Sequence, residues 1–393
     1  MSSRVLALVL TGLAGLTLPA SARDFYQGSV NALRAHLQAT LGREAGSREK
    51  IPFEIPPDLL ARVRSETSRF ASPREKVRTI MEIIVSKSNL GLTYDPVSTL
   101  TAGDVIERGR GNCLSLANLF VGMARASGLN ACYVHVTEVE RFRVAFSETR
   151  DGAVIHSTHI CSGIKETGSM ALIDFSPGAT RQYRQYVVID DVTALAHFYT
   201  NLAFEIGYHS PQIPPDERDG LEVGYQRKAL AVKPDFYQAM GNLGAFYRRR
   251  GELDKALECF GEALRVNQDY ADAYSNRASV YVEMGRPSEA VNEIRKALRL
   301  GPANPFLHYS LGRILQAAGK TEEAAECYEK AIDRAKNASF YVALGRCRLA
   351  LGQKDEAIKA FRKAVELQPG HTEATRLLGL TSPEPATPNK EAG

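Results

Sequence analysis

Tryptophan is absent from the 393 residues, and cysteine is scarce at six. No two cysteines stand in a CxxC pair, which excludes zinc-ribbon and thioredoxin-type sites, and six in so long a chain cannot frame a disulfide miniprotein. An excess of one charge is lacking as well. The 49 Lys and Arg against 45 Asp and Glu leave +4, too small and too dispersed to argue for nucleic acid. Beyond residue 22 no run is apolar and long enough to cross a bilayer as a helix. What remains is ordinary globular chemistry, 44% hydrophobic and 24% charged, with length for two or three cores at roughly 150 residues each.

The first segment, MSSRVLALVLTGLAGLTLPASA (residues 1–22), is read as an address. Arg4 gives a positive start, Val5 to Leu18 carries no charge, and Ala20-Ser21-Ala22 offers the small residues a signal peptidase accepts. The expectation is cleavage after Ala22 and export, to a periplasm or the outside, with no stable membrane span left. No Cys follows the run, so no lipid anchor is expected.

The second half repeats. Gly251, Gly285, Gly319 and Gly352 stand 34, 34 and 33 residues apart, and Ala256, Ala290, Ala324 and Ala357 keep the same steps, as do Ala263, Ala297, Ala331 and Ala364. Each Gly falls where one helix stops and another starts, because it takes a left-handed conformation at no steric cost. Ala recurs where two helices cross closely. Asn242-Leu243-Gly244, Gly251, Ala256 and Ala263 make this stretch resemble the tetratricopeptide repeat family. The resemblance implies an all-α solenoid whose concave groove binds a protein or peptide. Asn242, Asn276, Arg313 and Arg346 hold first-helix positions that would face that groove.

Chemistry is concentrated in the first half. Ser72-Pro73-Arg74-Glu75 starts a helix, and Asn112 is a natural cap that sets Cys113 at the head of a second helix ending at Gly128. A thiol there feels the positive end of the helix dipole, and the amides around Gly111 and Asn112 could hold an oxyanion. Strand-like runs follow at 131–139, 153–162, 170–175 and 183–189. If 159–162 pairs antiparallel with 171–174, Asp174 reaches the His159 ring and orients it as a base. His156 is the alternative base, pointing to the other strand face, and Cys161 shares the face of His159. Cys161 could pack beside Cys113 or pair with Cys132. The His and Cys residues here lack regular ligand spacing, so neither a metal nor another cofactor is expected.

The run from Arg74 to Val136, with Tyr94-Asp95, Thr101-Ala102 and Gly111-x-Cys113, resembles the transglutaminase-like core of the papain-like cysteine hydrolases. That resemblance implies an α+β domain, a Cys-bearing helix on an antiparallel sheet, with Cys113 as nucleophile, His159 as base and Asp174 as orienting carboxylate. It departs at His159-Ile160-Cys161, where the family has a small residue and Trp after its histidine. Protein cross-linking, which uses a Trp near the oxyanion, thereby loses support.

The expected layout is a signal peptide (1–22), a helical and linker segment (23–71), the transglutaminase-like domain (72–192), an irregular helical repeat with an insertion (193–235), tetratricopeptide repeats (236–380) and a disordered tail (381–393). The functional expectation is an exported cysteine hydrolase or acyltransferase working through a thioester, protease- or amidase-like, with a solenoid for its partner. The alternative is a non-catalytic interaction scaffold with a degenerate domain.

Overall fold

The structure, a computed structural model, describes residues 8–9, 22–139, 146–150, 153–157, 159–166, 169–176, 183–302 and 304–381. It forms two compact units: Met1–Phe146 with His156–Leu243, and Ser147–Ile155 with Gly244–Gly393. The expected tail lies outside the described residues beyond Thr381, as does most of the expected signal peptide.

The first unit runs β1 (Leu8–Val9), α1 (Ala22–Leu41), α2 (Arg43–Arg48), α3 (Pro57–Ser68), α4 (Pro73–Val85), β2 (Thr93–Tyr94), α5 (Ala102–Arg108), β3 (Arg110–Gly111), α6 (Cys113–Ala126) and β4 (Ala131–Val139). It continues after the short strands β5 (Phe146–Arg150) and β6 (Ala153–Ser157) with β7 (His159–Glu166), β8 (Ser169–Ile173), β9 (Tyr183–Ile189), α7 (Asp191–His209) and α8 (Pro215–Val232). The run expected as one strand at 153–162 is therefore two.

Five strands form one antiparallel sheet in the order β1-β8-β7-β4-β9. Its sequence alternates as a two-faced sheet must. Tyr133, Ile160, Ile164, Ala171 and Ile173 join the main core, while Cys132, Val134, Val136 and Cys161 cluster on the other face with Met170 and Leu172. Helix α6 packs on β4 and β7, and every residue from Leu114 to Ala126 is buried. A helix apolar all round belongs at the centre of a domain.

Two segments differ from expectation. Residues 23–71 are no linker: Tyr26, Val30, Leu33, Ile51, Phe53, Ile55 and Val63 are buried in the same core as α6. The prolines of IPFEIPP break the helical period without exposing the chain, and Pro57 then starts α3. Similarly, α7 and α8 pair as a helical hairpin, but Leu195, Phe198, Tyr199, Ala229 and Val232 are buried in the first core. The expected insertion at 211–220 is half helix, since α8 begins at Pro215.

From Tyr237 the chain is helical hairpins: α9 (Tyr237–Arg249), α10 (Leu253–Val266), α11 (Ala271–Glu283), α12 (Pro287–Leu300), α13 (Pro305–Ala317), α14 (Thr321–Arg334), α15 (Ala338–Ala350), α16 (Lys354–Leu367) and α17 (Thr372–Thr381). Gly251, Gly285, Gly319 and Gly352 take φ of 74°, 70°, 75° and 75° between the helices. A second glycine set has a different cause. A Cβ on Gly244, Gly312 or Gly345 would stand 2.5–2.7 Å from the ring of Phe260, Tyr328 or Phe361, one hairpin partner away. Where the partner position is the slimmer Ile294, the glycine position holds Ala278, and both are buried.

Adding that methyl where a ring fills the space should therefore overpack. Gly345→Ala is expected to cost about 1–3 kcal/mol in chemical denaturation, and Phe361→Ile in the same chain should recover part of it. Additive losses in that double-mutant cycle would refute the coupling.

Candidate functional site

The site is built at the head of α6 and at one end of β7 and β8. Asn112 caps the helix: its side-chain oxygen accepts the Ser115 amide (2.9 Å), and its side-chain nitrogen donates to Thr99 Oγ1 (2.9 Å). Ser115 Oγ accepts the Leu100 amide (2.8 Å) and lies 3.0 Å from the Ser98 carbonyl. This polar cradle, all buried, fixes where the first turn of α6 starts. Cys113 is the first helical residue and is half-buried.

Antiparallel pairing sets Ser162 opposite Ile173 and Gly163 opposite Leu172. Continuing that register puts Asp174 opposite Cys161, and His159 becomes its diagonal neighbour on the same face. His159 Nε2 and Asp174 Oδ2 are 2.8 Å apart, and both residues are buried. Asp174 also accepts the Ser176 amide on Oδ1 (2.9 Å) and the Ser176 hydroxyl on Oδ2 (3.0 Å). The Cys113 thiol lies near enough to the same ring to bear on its protonation. Burial works against a charged imidazole here, but the hydrogen bonds and charges of Asp174 and Cys113 outweigh it and push His159 up to about 10.

Tyr94 is the residue that sequence reasoning passed over. It lies in β2, parallel-paired with Gly111, and its phenol feels the charges of Cys113, Asp174 and Asp95. Burial first, and then those charges, push it far above its usual range, so it remains a donor. The Tyr94-Asp95 pair was visible in the sequence as a family feature without a role.

Asn112 is placed differently from the expected oxyanion role. The Asn112 amide already donates to the Ser98 carbonyl (3.0 Å), and the Gly111 carbonyl accepts from Asp95 (3.0 Å) within the β2–β3 ladder. A Cβ on Gly111 would meet Ser115 Cβ at 2.8 Å, which explains the glycine by packing. A helix start has orphan amides, and with that of Ser115 capped those of Cys113 and Leu114 face outward from the first turn.

Cys132 and Cys161 are both unpaired and buried. The Cys161 thiol is pushed well up by burial, then by the charges of Asp174, Cys113 and Cys132. The side chain of His156, in β6, lies outside the described residues. Among the described residues no cluster of three or more His, Cys, Asp or Glu could hold a metal, and no helix is long and apolar enough to cross a membrane.

In the second unit, Arg313 and Arg346 line one cavity of about 430 Å³. Asn276 differs from its expected groove position: it is buried in α11 and lines neither that cavity nor its neighbour. Asn242 falls within the first unit.

Comparison with known proteins agrees with this architecture. A transglutaminase-like superfamily model matches residues 60–202, and tetratricopeptide repeat models match 244–285, 271–304 and 309–372. The chain therefore carries a transglutaminase-like α+β domain followed by an all-helical tetratricopeptide region. Similar solved structures include MamA (23% identity, 44% of this chain and 92% of that one, TM-score 0.34). Another is YrrB, described as a repeat protein with an unusual peptide-binding site (20%, 46% and 90%, TM-score 0.35). A third is a thermophilic repeat protein of Thermus thermophilus, TTC0263 (19%, 46% and 98%, TM-score 0.40). No curated protein matches the chain.

Folding raises His159 from 6.5 to about 10, so its stabilisation is complete below pH 6.5 and is lost as the pH climbs through 10. The melting-temperature gap between the wild type and His159→Gln should therefore narrow over that interval. An NMR titration should find the His159 ring still protonated at neutral pH, and a midpoint near the ordinary value would contradict the geometry.

Proposed function

We propose that this protein is an exported cysteine hydrolase or acyltransferase that cleaves an amide bond through a thioester, with its repeat region holding a protein or peptide partner. One observation carries the reading: a single imidazole bonded to Asp174, with a sulfur at the head of a helix near enough to bear on its protonation. The family match over residues 60–202 supports it.

In the proposed cycle the Cys113 proton already rests on His159, and the sulfur attacks the substrate carbonyl carbon as the thiolate of that ion pair. The C=O electron pair moves to oxygen, where the Cys113 and Leu114 amides and the Tyr94 hydroxyl are the donors for the resulting oxyanion. Collapse re-forms the carbonyl and expels the amine, which takes the His159 proton. Water, or a second amine, then attacks the thioester while His159 accepts its proton. Cys113 leaves as thiolate beside the newly protonated His159, which restores the starting pair. Asp174 keeps the ring oriented and its positive charge compensated throughout.

The non-catalytic reading has one feature in its favour, Ile160 and Cys161 standing after His159 where the family has a small residue and Trp. Export rests on the leader-like residues 1–22 alone. Amino-terminal sequencing of the protein from culture fractions checks it, and an intact Met1 in a cytoplasmic fraction would refute it.

Iodoacetamide labelling across pH separates the two readings. Cys113 should alkylate much faster than an exposed control thiol, most clearly at the acidic end of the range. Cys113→Ala should lose that fast phase, and His159→Ala should shift the profile toward that of a free thiol. A Cys113 that labels no faster than an exposed control thiol sinks the enzyme.

A further inference from the structure

The cavity in the second unit is charged in an uneven way. Its walls come from α13, α14 and α15 and from the start of α17 with the residue before it, Tyr309, Arg313, Tyr328, Arg346, His371 and Glu373 being the groups that matter. A smaller cavity of about 130 Å³ adjoins it, sharing Arg313 and Ala317 and reaching Arg248 and Glu283. Of the three arginines along this groove, two are answered. Arg248 lies 3.5 Å from Glu283, and Arg346 lies 3.2 Å from Glu373. Arg313, between them and exposed, makes no ion pair among the described residues.

The apolar part of the wall has a definite form. The Tyr309 and Tyr328 rings lie 5.5 Å apart, and Tyr309 also packs on Phe340 at 5.0 Å. Tyr328 is pinned by its hydroxyl donating to Gln316 (3.0 Å). The guanidiniums of Arg313 and Arg346 both lie within electrostatic reach of the two phenols. His371 Nδ1 accepts the Ala374 amide (3.3 Å), which leaves Nε2–H as the donor of the neutral ring. The groove thus combines an aromatic floor with one uncompensated guanidinium and a further N–H donor.

We infer that this groove binds an extended acidic peptide segment, an Asp or Glu side chain of which pairs with Arg313 while a neighbouring apolar side chain lies on Tyr309, which the buried Tyr328 ring backs. A carboxylate matches the planar fork of arginine, and a charge-assisted pair in a concave site is stronger than one on an open surface. A basic segment would instead meet three arginines and gain only the two carboxylates already in use. The inference refines the partner-binding part of the proposed function and is independent of chemistry at Cys113.

Fluorescence anisotropy on the full chain carrying Cys113→Ala, which keeps the probe intact, tests it. The probes are fluorescein-labelled, carboxyl-amidated nonapeptides alternating Leu and Tyr with Glu, Gln or Lys, plus the Gln peptide with a free carboxyl end. The Glu peptide should bind at least about tenfold more tightly than the amidated Gln or Lys peptides. Arg313→Glu, at an exposed position where an unchanged melting temperature is expected, should abolish that preference and improve binding of the Lys peptide. Equal affinity for the Glu and Gln peptides overturns the acidic preference while leaving peptide binding standing. A Gln peptide that binds only with its free carboxyl end overturns it in favour of chain-end recognition, and no binding by any probe overturns the peptide-groove reading as well.

Discussion

A buried imidazole bonded to a carboxylate, with a sulfur near enough to act on its charge, brings three chain segments together. His159 opens one strand, Asp174 follows the next, and Cys113 heads a helix that packs on β7 and β4. Each partner answers a different difficulty. Burial alone would drive the proton off the ring, and Asp174 together with Cys113 reverses that balance. Asp174 is in turn held by the amide and hydroxyl of Ser176, so its carboxylate does not depend on His159 for all its hydrogen bonds. The arrangement is a chain of dependencies with its far end anchored in backbone.

The near end is anchored too. The start of α6 is defined by hydrogen bonds among Ser98, Thr99, Leu100, Asn112 and Ser115, and β2 is drawn under it by pairing Tyr94 with Gly111. This explains how the helix that follows can be buried along its length: its first polar groups are met at the cap, and further on Asn118 accepts the Tyr133 hydroxyl and Arg125 pairs with Asp191. It also gives Asn112 a structural job. An amide already bonded to Ser98 has nothing to offer a developing negative charge, whatever its distance from Cys113.

Local rules made much of this legible in the sequence. A 34-residue spacing of Gly and Ala requires hairpins of constant geometry, and two strand-like runs 15 residues apart require a hairpin that brings His159 to Asp174. What escaped was decided by burial at long range. IPFEIPP reads as a linker because proline interrupts periodicity, yet Ile51, Phe53 and Ile55 fill the core beneath α6. Asn276 occupies a first-helix position like Arg313, but it is buried while Arg313 is exposed. Tyr94 escaped for another reason. Two residues of parallel strand leave no periodic trace, and only the pairing with Gly111 brings the phenol within electrostatic reach of the sulfur.

The same burial logic bears on which cysteine reacts, on the reading proposed. Five of the six thiols are raised by their surroundings: Cys132, Cys161, Cys327 and Cys347 in packed interiors, and Cys259, half-buried beside Glu258 and Glu262, to about 11. A thiol held protonated is a poor nucleophile and a poor partner for disulfide exchange, so these five can remain unpaired even in an oxidising compartment. Cys113 differs in every respect that matters. It is not in a packed interior, it begins a helix, and it has a protonated ring beside it. Selectivity for one sulfur among six therefore does not require a specially reactive cysteine by sequence. It follows from raising the others and placing one imidazolium, and for that reason the face of the sheet carrying Cys132 and Cys161 belongs to the chemistry of the site even though neither residue would touch a substrate.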